Sequence, residues 1–261
     1  MLKILKEAVE ITRYRELLRN LVTRDIKVRY KRSILGFVWV MLNPLLMMLV
    51  LYMVFSELFK VSTENYTAHL LSGIILWNFF AQSTSTSLMS FIGNSSLIKK
   101  IYLPKVIFPL SVTMSALIHL LFSLIPLFII FLITGTSLSI HFYILPVGII
   151  LIVIFSFGIS LILSTLTVFF HDTKYIYDIL LLAWMYMTPI FYPESIIPQE
   201  FHFILSLNPV HYFLSIFRAA LYLDVPYIAE KLFYGFLFSF VAVVAGWIFY
   251  NRYKDKVVYY L

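Results

Sequence analysis

Residues 24–44 read RDIKVRYKRSILGFVWVMLNP. Arg24, Lys27, Arg29, Lys31 and Arg32 crowd into nine positions, and then the charges stop: Ile34 to Phe55 carries none. An uncharged apolar stretch of 22 residues spans about 33 Å as a helix, enough for a hydrocarbon core of about 30 Å. Cations beside such a stretch stay on the cytoplasmic side of the membrane. This one junction therefore sets both the class of the protein and its expected orientation.

The rest of the chain agrees. Of 261 residues, 61% are hydrophobic and only 13% are charged, about half the charge of a soluble domain. The fold class expected is an all-α polytopic membrane protein forming one transmembrane domain over residues 1–261. Six spans are expected, at Leu35–Phe59, Ala68–Phe91, Val106–Ile133, Phe142–Phe170, Tyr175–Tyr192 and Lys231–Tyr250. An even number of crossings returns both termini to one side. The residues before the first span hold ten Lys and Arg, and Lys99, Lys100, Lys105, Lys174, Arg252, Lys254 and Lys256 fall on the same side. Only Lys60, Arg218 and Lys231 remain for the other, which points to cytoplasmic termini. The net charge of +7 is thus read as a membrane-surface property, with no nucleic-acid partner. The basic, mostly polar opening of the chain does not match a cleavable signal peptide.

Residues 1–33 are expected to contain an amphipathic interface helix. At 100° per residue Tyr14, Leu17, Leu18, Leu21, Val22 and Val28 share a face, with Arg15, Arg19 and Lys27 opposite. Asp25 falls inside the apolar face, either paired with Arg29 one turn on or reserved for a partner protein. Between the fifth and sixth spans, residues 193–230 are apolar but broken. Ile196–Leu207 and Val210–Leu223 are each too short to cross, and Asn208-Pro209 separates them. Two re-entrant outer half-helices are expected there, buried in protein or lining water.

Polar residues inside spans carry the remaining information. Gln82-Ser83-Thr84-Ser85-Thr86-Ser87 wraps a whole helical circumference. The hydroxyls can bond the preceding carbonyls, but Gln82 needs another partner, so the run implies helix packing or a wetted pathway. Ser156, Ser160 and Ser164 repeat every four residues and favour close packing. Asn43 precedes a mid-span Pro44, and its amide is placed to satisfy the carbonyl that the proline frees. Lys174 and Asp178 have helical pairing distance. Arg218 is either functional or snorkels to the outer surface. The mid-span aromatics Tyr52, Trp77, Trp184 and Tyr186 suit sugar rings but also serve an ordinary aromatic core.

Several chemistries have no motif. There is no cysteine, no GxxxxGK[ST], no HExxH and no GxSxG, and the six histidines lack metal-ligand spacing. No catalytic, cofactor or metal residue is expected in this chain. His171-Asp172 is the single adjacent pair on which an intramembrane transferase would have to rest.

The segment RELLRNLVTRDIKVRYKRSILGFVWVMLNPLL, Arg15 to Leu46, resembles the start of type-2 ABC exporter permeases for polysaccharides, of the Wzm, KpsM and TagG kind. Matching positions are Asp25, Arg29, Tyr30, Lys31, Ser33, Leu35, Gly36, Trp39 and Pro44. SSLIKKIYLPKVIFPLS, with Leu97, Ile98, Lys100, Pro104 and Pro109, is a second match, and Asn208-Pro209 with Arg218 another. Where the family usually has Phe-Arg-Asp, this chain has Phe170-His171-Asp172.

The resemblance, strongest to O-antigen permeases, implies a homodimer worked by two copies of a separate ATPase that holds ATP and magnesium. It implies a lipid-linked glycan as substrate. Arg15, Arg19, Asp25, Leu97, Ile98, Lys99, Lys100 and Pro104 would meet the ATPase. Asn208, Pro209 and Arg218 would form an outer gate. Arg29, Tyr30, Lys31 and Arg32 stand where an anionic lipid headgroup would arrive. Trp39, Asn43, Tyr52, Trp77, Gln82, Thr86, Trp184 and Tyr186 are the candidate channel lining. A permease for a small amphiphile or drug is the nearest alternative.

Overall fold

The computed structural model describes residues 13–58, 65–222 and 227–261. Residues 1–12 of the expected interface helix, the expected span end at Phe59, the outer Lys60 and the half-helix end at Leu223 lie outside the described residues. Among the described residues the structure is entirely helical. The α-helices are α1 (Arg15–Tyr30), α2 (Trp39–Tyr52), α3 (Tyr66–Ser87), α4 (Ser95–Lys100), α5 (Ile107–Thr134), α6 (Leu145–Phe169), α7 (Thr173–Met187), α8 (His202–Leu207), α9 (Pro209–Leu221) and α10 (Ile228–Tyr260).

Among the described residues, four helical stretches are long and apolar enough to cross a membrane: Gly36–Ser56, Ile107–Thr134, Phe142–Phe169 and Ile228–Tyr260. The helical segment Gln199–Leu207 with Pro209–Leu221 makes a fifth if that pair, bent by 91°, is taken as one span. The expected second span corresponds to α3, whose polar run lowers its apolarity although it has 22 residues. The expected fifth span corresponds to α7, whose 15 residues reach about 22 Å.

Two cores organise the bundle. The larger one surrounds α3, which buries Leu70, Leu71, Ile75, Leu76 and Phe80 almost completely. The smaller one gathers Leu21 of α1, Phe91, Ile98 of α4, Leu103, Val106, Val168 at the end of α6, and Val257 of α10. Helices distant in sequence thus meet at a single cation-rich end. There Lys105 donates to the carbonyl of Lys254 at 2.9 Å, tying the loop after α4 to α10.

α6 and α10 pack along most of their lengths because small residues let their backbones touch. A Cβ placed on Gly158 would lie 2.5 Å from the Ala242 carbonyl oxygen. Ser239 Oγ donates across the same seam to Leu151 O at 2.8 Å. The α6 serines behave as their spacing predicts: Ser156, Ser160 and Ser164 are fully buried, and Ser160 donates to Ser83 O on α3 at 3.3 Å.

Three local expectations are corrected. Asp25 does not pair with Arg29; it accepts from Arg24 at 2.9 and 3.1 Å. Lys174 and Asp178 form no ion pair, and the salt bridges present among the described residues are Arg24–Asp25 and the His211–Glu194 contact. The carbonyl freed by Pro44 is that of Val40, and its donor is Ser123 Oγ on α5 at 3.1 Å, not Asn43.

Candidate functional site

The cation-rich end of the bundle opens into a cavity of about 520 Å³ walled by α1, α2, α3 and α5. α1 contributes Arg29 and Tyr30, and α2 contributes Trp39, Val40, Asn43 and Pro44. α3 brings Asn78, Gln82 and Ser85, while α5 brings Ala116, His119, Leu120 and Ser123. Each set lies on one helical stripe, at steps of three and four residues. The polar run of α3 divides accordingly. Gln82 and Ser85 face the cavity, and Ser83, Thr84 and Ser87 turn into the bundle. Ser83 and Thr84 satisfy themselves on the Phe80 carbonyl at 3.1 and 2.7 Å.

Arg29 is the one Lys or Arg lining this cavity, and no carboxylate joins it. A guanidinium only donates hydrogen bonds, so the amide of Gln82 turns its Oε1 toward Arg29. In that orientation Oε1 accepts from both Nη atoms of Arg29, one of them at 3.0 Å, and from Nδ1 of His119 at 2.8 Å. Nδ1 therefore carries the proton, and Nε2 of the neutral ring is left as an acceptor with no hydrogen-bond partner. Edge contacts from Tyr30 at 5.8 Å and tilted packing of Phe37 at 6.1 Å hold the imidazole in place. Burial pushes the Tyr30 phenol up, with the Arg29 charge pulling it partly back, so Tyr30 is a neutral hydroxyl at the cavity mouth.

Of the expected headgroup residues, Arg29 and Tyr30 enter this site. Lys31 lies instead in an open groove on the other side of α1 with Asn20, Thr23 and Lys27, and Arg32 is exposed. Of the expected channel residues, Trp39, Asn43 and Gln82 line the cavity. Thr86 lines an adjoining groove of about 460 Å³ that shares Arg29, Gln82 and His119. The remaining aromatics lie elsewhere. Trp77 is buried against Phe80. Trp184 packs on Phe80 and donates to Asn208 Oδ1 at 2.7 Å. Tyr52 lies beside Tyr66, and the largely exposed Tyr186 accepts at its carbonyl from the Tyr192 hydroxyl. Asn78, His119 and Ser123 were not foreseen, and Ser85 was foreseen only as part of the polar run. Asn78, Gln82 and Ser85 recur at helical spacing in a span, a signal that marks a polar stripe.

The expected outer-gate residues form a second constellation at the opposite end. Asn208 caps α9 by accepting from Val210 N at 3.1 Å, and it donates to Thr188 Oγ1 at 2.9 Å. Arg218 does not snorkel. It is 3% exposed and donates to the carbonyls of Pro189, His69 and Ile190 at 2.9, 3.0 and 3.2 Å.

The residues expected to meet an ATPase share the cation-rich end. Ile98, Lys99, Lys100 and Pro104 line a groove of about 510 Å³ with Tyr250, Asp255 and Tyr259 of α10. Arg15 and Arg19 are exposed on α1, and Leu97 packs against the smaller core. Arg24 donates to Asn94 Oδ1 at 3.0 Å and so links α1 to the turn before α4. His171 and Asp172 are exposed at the α6–α7 corner, and no group of three His, Cys, Asp or Glu converges among the described residues.

The model of the ABC-2 type transporter family matches residues 16–222. The chain is 39% identical over 197 residues to the O-antigen export system permease protein RfbA of Klebsiella pneumoniae, covering 75% of this chain and 76% of that protein. A second Klebsiella pneumoniae protein of the same name is 35% identical over 243 residues, 92% of this chain and 93% of its own length. A Myxococcus xanthus RfbA is 30% identical over 215 residues, with 82% and 83% covered.

Proposed function

The chain belongs to the ABC-2 type transporter family, and on that premise we propose that it is the membrane permease of an ATP-driven exporter moving a lipid-linked polysaccharide of O-antigen kind across the bacterial inner membrane. It is a transport component rather than an enzyme. The observation that carries the substrate reading is the cavity itself. It holds one Arg29, no carboxylate, and a wall of indole, phenol, amide and hydroxyl groups from Trp39, Tyr30, Asn43, Gln82 and Ser123. A single cation with converging donors suits a phosphate-type headgroup, and flat aromatic faces beside amides suit sugars.

In this reading α3 and α7 also cross, giving six spans. Leu21, Ile98, Val168 and Val257 share one core cluster, so the chain has to return to the same end between each of them. Pairing α2 with α3, α5 with α6, and α7 with α10 accomplishes that. The concentration of Lys and Arg at that end orients it, and with it both termini, toward the cytoplasm. The bent pair α8–α9 dips in from outside as the gate. Two copies of the chain assemble, as the resemblance to polysaccharide permeases implies. ATP and magnesium sit on two separate ATPase subunits that bear on α1 and α4. Nucleotide drives export by binding unequally to two states of the pore.

The test is surface display of polymer in a strain deleted for its own permease. This chain with its ATPase restores display, and Arg29→Ala does not. A deletion strain that still displays the polymer would overturn the reading.

A further inference from the structure

Arg29 sits beside the cavity with no carboxylate in ion-pair range among the described residues; besides its neighbour Tyr30 on α1, it meets the neutral amide oxygen of Gln82 on α3. The same oxygen is held from the other side by His119. This three-residue bridge joins α1 to α3 and α5. A further side-chain bond from α1 to the bundle is Arg24 to Asn94, at the edge of the α4 turn. Arg29 itself is largely exposed, so an incoming group reaches it without opening the core.

A neutral amide is a weaker acceptor for a guanidinium than a phosphate oxyanion, which forms bidentate, charge-assisted bonds. Gln82 Oε1 occupies the edge formed by the two Nη atoms of Arg29, the edge on which an end-on phosphate forms its paired bonds, so the two acceptors compete for that edge. We propose that Gln82 is a placeholder: it holds Arg29, and with it the C-terminal end of α1, against α3 and α5 until a phosphate or pyrophosphate group in the cavity takes Arg29 over and frees that end of the helix. Gln82 and His119 are then positioning residues that report occupancy of the cavity to the helix expected to bear the ATPase. The inference rests on the headgroup reading above and adds to it the exchange of partners.

The experiment uses the purified permease–ATPase complex in lipid nanodiscs. Binding of farnesyl pyrophosphate, inorganic pyrophosphate and farnesol is measured together with ATPase rate. Gln82→Leu removes the competing acceptor. It is expected to bind farnesyl pyrophosphate about tenfold more tightly, the order set by losing one charged hydrogen bond, and to raise the ATPase rate without any probe. Gln82→Glu supplies a permanent carboxylate rival and is expected to weaken binding at least as much and to blunt stimulation. Simple damage to the fold would move both variants in one direction, so the opposite signs are diagnostic. Inorganic pyrophosphate following the same order assigns recognition to the anion alone; only the farnesyl compound following it assigns recognition to the lipid headgroup. Farnesol binding should ignore both substitutions. If Arg29→Ala abolishes binding while Gln82→Leu and Gln82→Glu match the wild type, the placeholder is wrong and the headgroup site stands. If Arg29→Ala also binds normally, both fall.

Discussion

Ser123 of α5 donates its hydroxyl to the backbone carbonyl of Val40 at 3.1 Å, the acceptor that Pro44 deprives of its helical partner four residues on. The hydroxyl shares its proton with the His119 carbonyl at 2.9 Å, so the kink in α2 is anchored to α5 beside the cavity. Ser123→Ala leaves the Val40 carbonyl to water from the cavity. The expected cost is about 1 kcal/mol, seen as a modest fall in the melting midpoint of the purified protein. Because the kink sets where Trp39 and Asn43 stand, export should fall as well, and Ser123→Thr should retain more of it than Ser123→Ala. Equal behaviour of the two variants would show that the bond does not hold the kink.

The α6–α10 seam gives a sharper stability prediction. Gly158 tolerates no side chain, since its Cβ would meet the Ala242 backbone, whereas a Cβ on Gly93 would meet nothing within 4 Å. Gly158→Ala should therefore force the helices apart at a cost of roughly 1–3 kcal/mol or more and reduce the yield of monodisperse protein on size exclusion. Gly93→Ala should leave it unchanged. A well-behaved Gly158→Ala protein would mean that the seam is looser than the backbone contact implies.

What the sequence made legible was whatever repeats locally. The basic helix could be read because Leu17, Leu18 and Leu21 recur at helical spacing and do pack into the smaller core. Val28 belongs to that same face by angle, yet it is 68% exposed, because α1 outruns the core and ends at the cavity mouth. The broken outer segment was legible from Asn208-Pro209, where the side chain caps and the proline opens the next helix. The run at residues 82–87 was legible as either packing or a wet path, and the structure divides it: Ser83, Thr84 and Ser87 pack inward while Gln82 and Ser85 line the cavity. Contacts between distant elements were not legible. Asp25 chooses the neighbouring Arg24 because Arg29 finds Gln82, which no rule of helical spacing foresees. His119 is the one ionisable residue of α5, and nothing near it in sequence reveals that an arginine and a glutamine converge on it.

Arg218 donates to three carbonyls on two separate stretches of backbone, at His69 and at Pro189-Ile190, through one buried guanidinium. Lysine has neither the planar fork nor the reach to serve those carbonyls together, so Arg218→Lys should loosen α9 from α3 almost as much as Arg218→Ala. The chain contains no cysteine, which permits a clean measurement with Ser72→Cys, a fully buried position on α3 beside this contact. In the wild-type background a thiol reagent should react slowly there. In either Arg218 variant the rate should rise severalfold, as local opening becomes less costly. Unchanged reactivity would remove Arg218 from the list of groups that hold the outer segment closed.

Lys99 and Lys100 end the short helix α4 and line the groove shared with α10. Two influences act on them. As cations in a last turn they complement the helix dipole, worth a few tenths of a kcal/mol at an exposed site. As exposed charges on the face proposed to meet an ATPase, they also steer association, a contribution that salt screens. The two are separable. Lys99→Gln with Lys100→Gln removes the steering charges and forfeits only those few tenths of a kcal/mol, while Lys99→Glu with Lys100→Glu turns both influences unfavourable. If the face binds the ATPase, the Gln pair should slow association and flatten its dependence on ionic strength. The Glu pair should lower the fraction of permease that copurifies with the ATPase and lower substrate-stimulated hydrolysis. If the lysines only stabilise α4, the Gln pair should copurify and hydrolyse ATP as the wild type does at every salt concentration, and the partner surface must then be sought on the exposed side of α1.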